Sequence, residues 1–322
     1  MGARPAVRAA DGCGRARPQD RRLGRCGIAH AVGALRLGDT ITLLGTKGGP
    51  AIYPGPDMRM PTATLIELAG QRIVVDCGLG VTRGLVEAGM RLPDLSSIIV
   101  THLHSDHYLE LGPLIHTAWT AGLKTPVSVH GPAGLSAYWH AFQRSMAFDI
   151  ETRIADEGRP DIDSLVWIAP MGEGGFARIG PVQVSALLNR HPPINESYAL
   201  KFEAGGKTVV VSGDTAPFDG FAGFARGADL LVHEAMIAEG VDRLVARVGN
   251  GARLKQHLEA SHSDAEDVGR LAAEAGVKAL ALNHLLPVDD PAITDTVWEK
   301  AVRAGGYEGP LHIGRDGMAI GV

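Results

Sequence analysis

The sequence predicts an α/β protein in which β-sheets are covered by helices. Three observations lead there. Hairpin signals occur both early and late in the chain. Segments with helical spacing fall between them. The 42 Gly and 19 Pro among 322 residues require many tight turns. A pure strand–helix alternation and a helix-free sandwich both fail to fit this order.

Taken in order, residues 1–36 read as a basic, disordered extension, and the folded domain starts at about residue 37. Residues 41–44 are a short β-rich run that ends in the turn Gly45-Thr46-Lys47-Gly48-Gly49-Pro50. Residues 63–68 and 72–76 flank Ala69-Gly70-Gln71, a hairpin signal. The spacing predicts helices over 82–90, 109–122 and 133–148, with a short buried strand at 97–100 between the first two. Strands follow at 182–188, 197–203, 208–212 and 230–234, with Gly205-Gly206 as another hairpin turn. Residues 264–275 read as a helix, 279–283 as a strand and 294–304 as the last helix.

Composition limits the function. Hydrophobic residues make up 45% and charged residues 21% of a 33.8 kDa chain, enough apolar material for a large core, so disorder as the main state is excluded. No apolar run reaches the roughly 18 residues needed to span a bilayer. The net charge of −5 is asymmetric: residues 1–36 hold eight Arg against Asp11 and Asp20, +6 in all, which leaves −11 on the rest. That sign is wrong for gripping a polyanion, so nucleic acid is an unlikely partner. Cys13, Cys26 and Cys77 form no disulfide framework, which fits a reducing, cytoplasmic setting.

The most informative stretch is Thr101-His102-Leu103-His104-Ser105-Asp106-His107, directly after an apolar strand. In an extended segment His102 and His104 point the same way, and beyond the turn Asp106 and His107 can aim at a second point. Imidazole and carboxylate together suit zinc, with manganese or iron possible. This cluster cannot fill two metal shells, so more ligands are required downstream. His191, Asp214 and His284 each sit just past an apolar run; each could equally be a loop, turn or capping residue.

With these pieces in view, the chain resembles the metallo-β-lactamase fold superfamily, in its ribonuclease Z and arylsulfatase-like branch. The resemblance spans roughly residues 40–320. It rests on Leu44-Gly45-Thr46, Val75-Asp76-Cys77-Gly78, the 101–107 cluster and His191. It continues through Ser212-Gly213-Asp214-Thr215, His233-Glu234-Ala235, Ser261-His262-Ser263 and Leu282-Asn283-His284. It implies an αββα four-layer sandwich with metals at one edge. It implies that His102, His104 and His191 hold one metal, that Asp106, His107 and His284 hold the other, and that Asp214 bridges them. Asp76 would be a supporting acid. Glu234 and His262 would pass a proton to the leaving group, although Met236 stands where the family usually has Thr. Asp106 counts among the catalytic residues as well as the ligands.

The implied activity of residues 37–322 is ester hydrolysis by a hydroxide bridging two metal ions, zinc first. The substrate expected is a small phosphodiester, sulfate ester, or lactone or other carboxylic ester. The alternatives are tRNA 3′ processing and a non-catalytic metal-binding module. Against tRNA, the long Gly/Pro-rich arm of compact bacterial ribonuclease Z is missing, since only 22 residues separate His191 from Asp214. A homodimer is carried over from the branch. The aromatic residues between His107 and His191 (Trp119, Tyr138, Trp139, Phe142, Phe148, Trp167, Phe176) are expected mostly to pack helices on the sheet. Residues 238–259 form a possible cover over the site, and His257 is read as a neighbour without a role.

Overall fold

The computed structural model describes residues 38–55, 58–246 and 251–322; the expectation for residues 1–36 lies outside them. The first half runs β1 (Thr40–Gly45), β2 (Ala63–Leu68), β3 (Gln71–Val75), α1 (Val81–Glu87) and β4 (Ser97–Ile99). It goes on through α2 (Ser105–Tyr108), α3 (Leu111–Thr120), β5 (Val127–Gly131), α4 (Leu135–Ser145), α5 (Ala147–Glu157) and β6 (Val166–Pro170). The second half opens with four strands, β7 (Gly174–Ile179), β8 (Val182–Leu188), β9 (Tyr198–Ala204) and β10 (Lys207–Val211). Then come α6 (Phe221–Phe224), β11 (Leu230–Met236), α7 (Ala238–Ala246), α8 (Gly251–Ser261) and α9 (Ala265–Ala275). The chain finishes with β12 (Leu280–Leu286), α10 (Asp295–Ala304), β13 (Leu311–Ile313) and β14 (Met318–Gly321).

Among the described residues these strands form two seven-stranded sheets, ordered β14-β1-β2-β3-β4-β5-β6 and β13-β12-β11-β10-β9-β8-β7. Each sheet joins antiparallel hairpins to parallel strands: β3 to β6 are parallel in the first, β10 to β13 in the second. Ile41, Ile66 and Ile99 from the first sheet meet Leu200, Phe202 and Val209 from the second in one buried layer. On the outer face of the first sheet, Trp119 and Trp139 pack with Leu65 and Val74. On that of the second, Val268 and Trp298 pack with Leu231 and Leu280. That is the αββα order, each sheet buried on both faces as parallel strands require.

Several boundaries differ from the sequence reading. The helix predicted over 109–122 is α3, preceded by a short helix the sequence did not suggest: α2 begins inside the histidine cluster, and Glu110 between the two accepts from the Gly80 and Thr82 amides at the start of α1. The helix predicted over 133–148 breaks at Met146, and its second part runs on to Glu157. Strands β5, β6, β7, β13 and β14 were not anticipated. Each is a run of three to six residues, too short for periodicity to separate from loop. Strand β12 does not stop at Asn283. It continues to Leu286, with His284 as an extra residue in the register: Glu234 pairs with Asn283 and Ala235 with Leu285.

Candidate metal centre

The side chains of interest collect where the parallel strands of both sheets end. β3 leads to Asp76 and β4 to the 101–107 loop. β8 leads to His191, β10 to Asp214, and β11 and β12 carry Glu234 and His284. Strand ends suit this task because the strands are rigid while the loops leave one side open.

Two donor groups form. His102 Nε2 and His191 Nε2 approach His104 Nδ1 at 3.1 and 3.0 Å, with Asp214 Oδ2 at 3.7 Å from His102 and 4.0 Å from His191. Asp106 Oδ2 lies 3.2 Å from His284 Nε2 and 3.6 Å from His107 Nε2. Asp214 Oδ2 also faces both of those rings, at 3.2 and 3.3 Å, so it stands between the groups. All seven residues proposed from sequence are therefore together, every one but His104 buried. The structure adds His262, whose ligand atom shares a third such group with Asp214 and His284.

Hydrogen bonds on the far side of two of the rings set their tautomers. His107 Nδ1 donates to Asp76 Oδ2 at 2.8 Å, and Asp76 is itself fixed by the Thr101 amide and hydroxyl at 2.7 and 3.0 Å. His191 Nδ1 donates to the Ser261 carbonyl at 2.9 Å. Both rings thus turn an unprotonated Nε2 inward, the arrangement that prepares imidazole for a metal. Two residues take left-handed backbone to reach their places, Asp76 at φ 63° and His284 at φ 42°. For His284 the cause is visible in the register: as the bulged residue of β12 it is re-aimed out of the sheet pleat toward Asp106.

The donor set fits a cation. His107 Nε2 and Asp214 Oδ1 are buried with no hydrogen-bond partner, and the close approach of His107 to Asp214 is not aligned as a hydrogen bond. Five rings and two carboxylates with inward lone pairs repel one another unless positive charge lies between them. Titration follows the same field. Burial would raise the Asp214 carboxyl, but the His284 and His107 rings outweigh it and hold it well below the usual range. Burial, with His191 beside it, pushes His104 down to about 4. Asp76→Asn is expected to keep the fold but lower metal affinity about 10–100-fold, because His107 loses the carboxylate that orients it. Metal titration followed by calorimetry checks this; unchanged affinity would remove Asp76 from the account.

Beside the donors lies the pair Glu234 and His262. Glu234 Oε1 accepts from His262 Nδ1 at 3.2 Å and from the Thr215 and Ser263 amides at 3.0 and 3.2 Å. His262 stacks on His284 with ring centroids 5.4 Å apart. Burial works against its protonation, yet the Glu234 carboxylate lifts His262 to about 9. A cavity of about 200 Å³ opens over these groups, bordered by Gly49, Pro50, His104, Asp106, His262 and Leu286 and by one face of α8.

Sequence reasoning missed part of this wall. Gly49 donates its amide to Asp106 Oδ2 at 2.9 Å, and its neighbour Gly48 has no room for a side chain beside Leu286 and His284. The Gly-Gly step in the 45–50 turn was the signal. His257, read as a bystander, also borders the cavity, so residues 238–259 do contribute a wall through α8. None of the seven aromatic residues named from sequence between His107 and His191 lines it. Trp119 and Trp139 are core, whereas Phe148 and Trp167 are exposed. Cys77 is a fully buried packing residue, and Arg190 is exposed outside the cavity. The β9–β10 hairpin turns through Gly205-Gly206 alone, with no arm.

The family profile described as anti-Pycsar protein Apyc1 matches residues 41–245. Ribonuclease Z of Mycobacterium bovis (strain BCG / Pasteur 1173P2) is 31% identical over 286 residues, covering 86% of this chain and 95% of that protein. Among solved structures, the metallo-β-lactamase fold protein YhfI from Bacillus subtilis superposes with a TM-score of 0.64 at 22% identity, over 87% of this chain and 98% of its own. Human tRNase Z, short form, gives 0.61 at 20% identity, over the same two shares. No helix among the described residues is long and apolar enough to cross a membrane. The profile covers more than half of the chain and the M. bovis relative is matched almost end to end: this chain belongs to the anti-Pycsar protein Apyc1 family, within the ribonuclease Z branch of the metallo-β-lactamase fold superfamily.

Proposed function

We propose that the chain is a metal-dependent hydrolase of small phosphodiesters, linear or cyclic, with two zinc ions as the first choice of cofactor. The observation that carries it is the seven-residue donor set with the Glu234–His262 pair at its rim, under a cavity of about 200 Å³. His102, His104 and His191 would hold one cation, Asp106, His107 and His284 the other, and Asp214 both. Cations there would stabilise charge on a phosphoryl oxygen and lower the pKa of a coordinated water from 15.7 toward about 7. The protein's own part is to fix geometry and to move a proton. His262, protonated and held by Glu234, would donate from Nε2 to the departing oxygen. Among the described residues Ser105 is the only Ser or Cys that lines the cavity, and the mechanism needs no such nucleophile.

Phosphodiesters are ranked above sulfate and carboxylic esters because the curated relatives are named for cleaving RNA, whose backbone linkage is a phosphodiester. A small substrate is ranked above precursor tRNA because the cavity is small, the β9–β10 turn has no arm, and residues 37–322 carry −11. The 31% identity to ribonuclease Z keeps tRNA processing as the second reading. Zinc- or manganese-loaded protein should therefore turn over an aryl phosphodiester faster than an aryl sulfate, a lactone or precursor tRNA. Precursor tRNA cleaved far faster than the aryl ester would reverse the ranking.

A further inference from the structure

His257 lies on α8 and borders the same cavity as His104 and His262, with ring centroids 5.7 Å from His104, 5.9 Å from His191 and 6.1 Å from His262. It belongs to neither donor group. What it can do there is decided by a short chain of protons. Ser261 Oγ donates to the Pro192 carbonyl at 2.6 Å. A hydroxyl has one proton, so toward His257 Nδ1, 3.4 Å away, Ser261 can only accept. Ser261 as an acceptor places the ring proton on Nδ1 and leaves Nε2 as a bare acceptor. The cavity it borders sets Leu254 and Leu258 from the same helix and Leu286 from β12 against the donor side chains His104, Asp106, Asp214 and His284.

We infer that His257 is a substrate-binding residue, which accepts a hydrogen bond from a hydroxyl or N–H group of the ester on the His104 side of the cavity. The inference rests on the phosphodiester reading and deepens it: the preferred substrate carries a hydrogen-bond donor a few bonds from the reacting phosphorus. An ester without that donor desolvates Nε2 and returns nothing, which is how an acceptor left unpaired in the bound state discriminates. His262, whose Nδ1 is tied to Glu234, stays the proton donor; His257 recognises.

The test compares two esters on metal-loaded protein, 3-hydroxypropyl p-nitrophenyl phosphate and propyl p-nitrophenyl phosphate. Wild type is expected to favour the hydroxylated ester about tenfold in kcat/KM, chiefly through KM, the size of one neutral hydrogen bond. In His257→Leu that ratio should fall to near one with two cations still bound per chain. His257→Gln, which keeps an acceptor, should restore part of it. A wild-type ratio near one, a Leu variant that keeps the preference, or a Leu variant that loses its cations would overturn the assignment. Turnover of an aryl sulfate or lactone but of neither phosphate ester would overturn the phosphodiester reading, and the His257 assignment with it.

Discussion

Asp214→Ala is expected to reduce bound metal from about two ions per chain to one or fewer and to lower kcat/KM by more than about 10³-fold. The size follows from position. Asp214 Oδ2 faces His107 and His284 at 3.3 and 3.2 Å, and His102 and His191 at 3.7 and 4.0 Å, so one carboxylate serves both donor groups. Removing it leaves five imidazoles around a space with half its negative charge gone. Fold loss is not the expected cause, because Asp214 lies past the end of β10, and its backbone carbonyl, which accepts from Asn189 and Ser197, is kept. Circular dichroism should be unchanged while elemental analysis falls. Unaltered metal content in a folded variant would show that Asp214 is not a shared ligand.

The second large effect is at the proton donor. His262→Ala should lower kcat by about 10²–10⁴-fold on an ester with a poor alkoxide leaving group. On a p-nitrophenyl ester the loss should be much smaller, since that leaving group departs without a proton. Glu234→Gln should show the same dependence more weakly, because the glutamine keeps its place but no longer stabilises the imidazolium. The pH profile has a defined sign. His262 is lifted to about 9 by Glu234, so the donor is present at neutral pH and lost as pH rises. Cations held by the adjacent Asp214 and His284 repel that proton, which puts the alkaline limb for poor leaving groups at or below about pH 9. An equal loss on both kinds of ester in His262→Ala, with metal content reduced, would instead make His262 a ligand, the role its third donor group allows.

The donor set was legible in the sequence because metal chemistry demands particular side chains at strand ends. The density of His and Asp over residues 102–107 stands out without any structure. His191, Asp214 and His284 were candidates because each follows an apolar run, but each was individually ambiguous, and only resemblance to a family assigned them to particular metals. What the sequence hid is of two kinds. One is geometry that depends on a partner strand: the bulge that turns His284 out of β12 exists only in register with β11. The other is recognition by α8, whose Leu254, His257 and Leu258 have the spacing of any amphipathic helix and acquire meaning from the cavity they face. The missed strands β5, β6 and β7 share a cause, since runs this short carry almost no period. The αββα layering survived those misses because it was implied by the family resemblance and did not depend on finding every strand.

The central claim is that seven side chains from both sheets enclose a pair of cations. Anomalous diffraction from crystals of zinc-loaded protein addresses it most directly. The account predicts two peaks, one among His102, His104 and His191 and one among Asp106, His107 and His284, with Asp214 in reach of both. A single peak, or peaks that leave His191 or His284 uncoordinated, would contradict it.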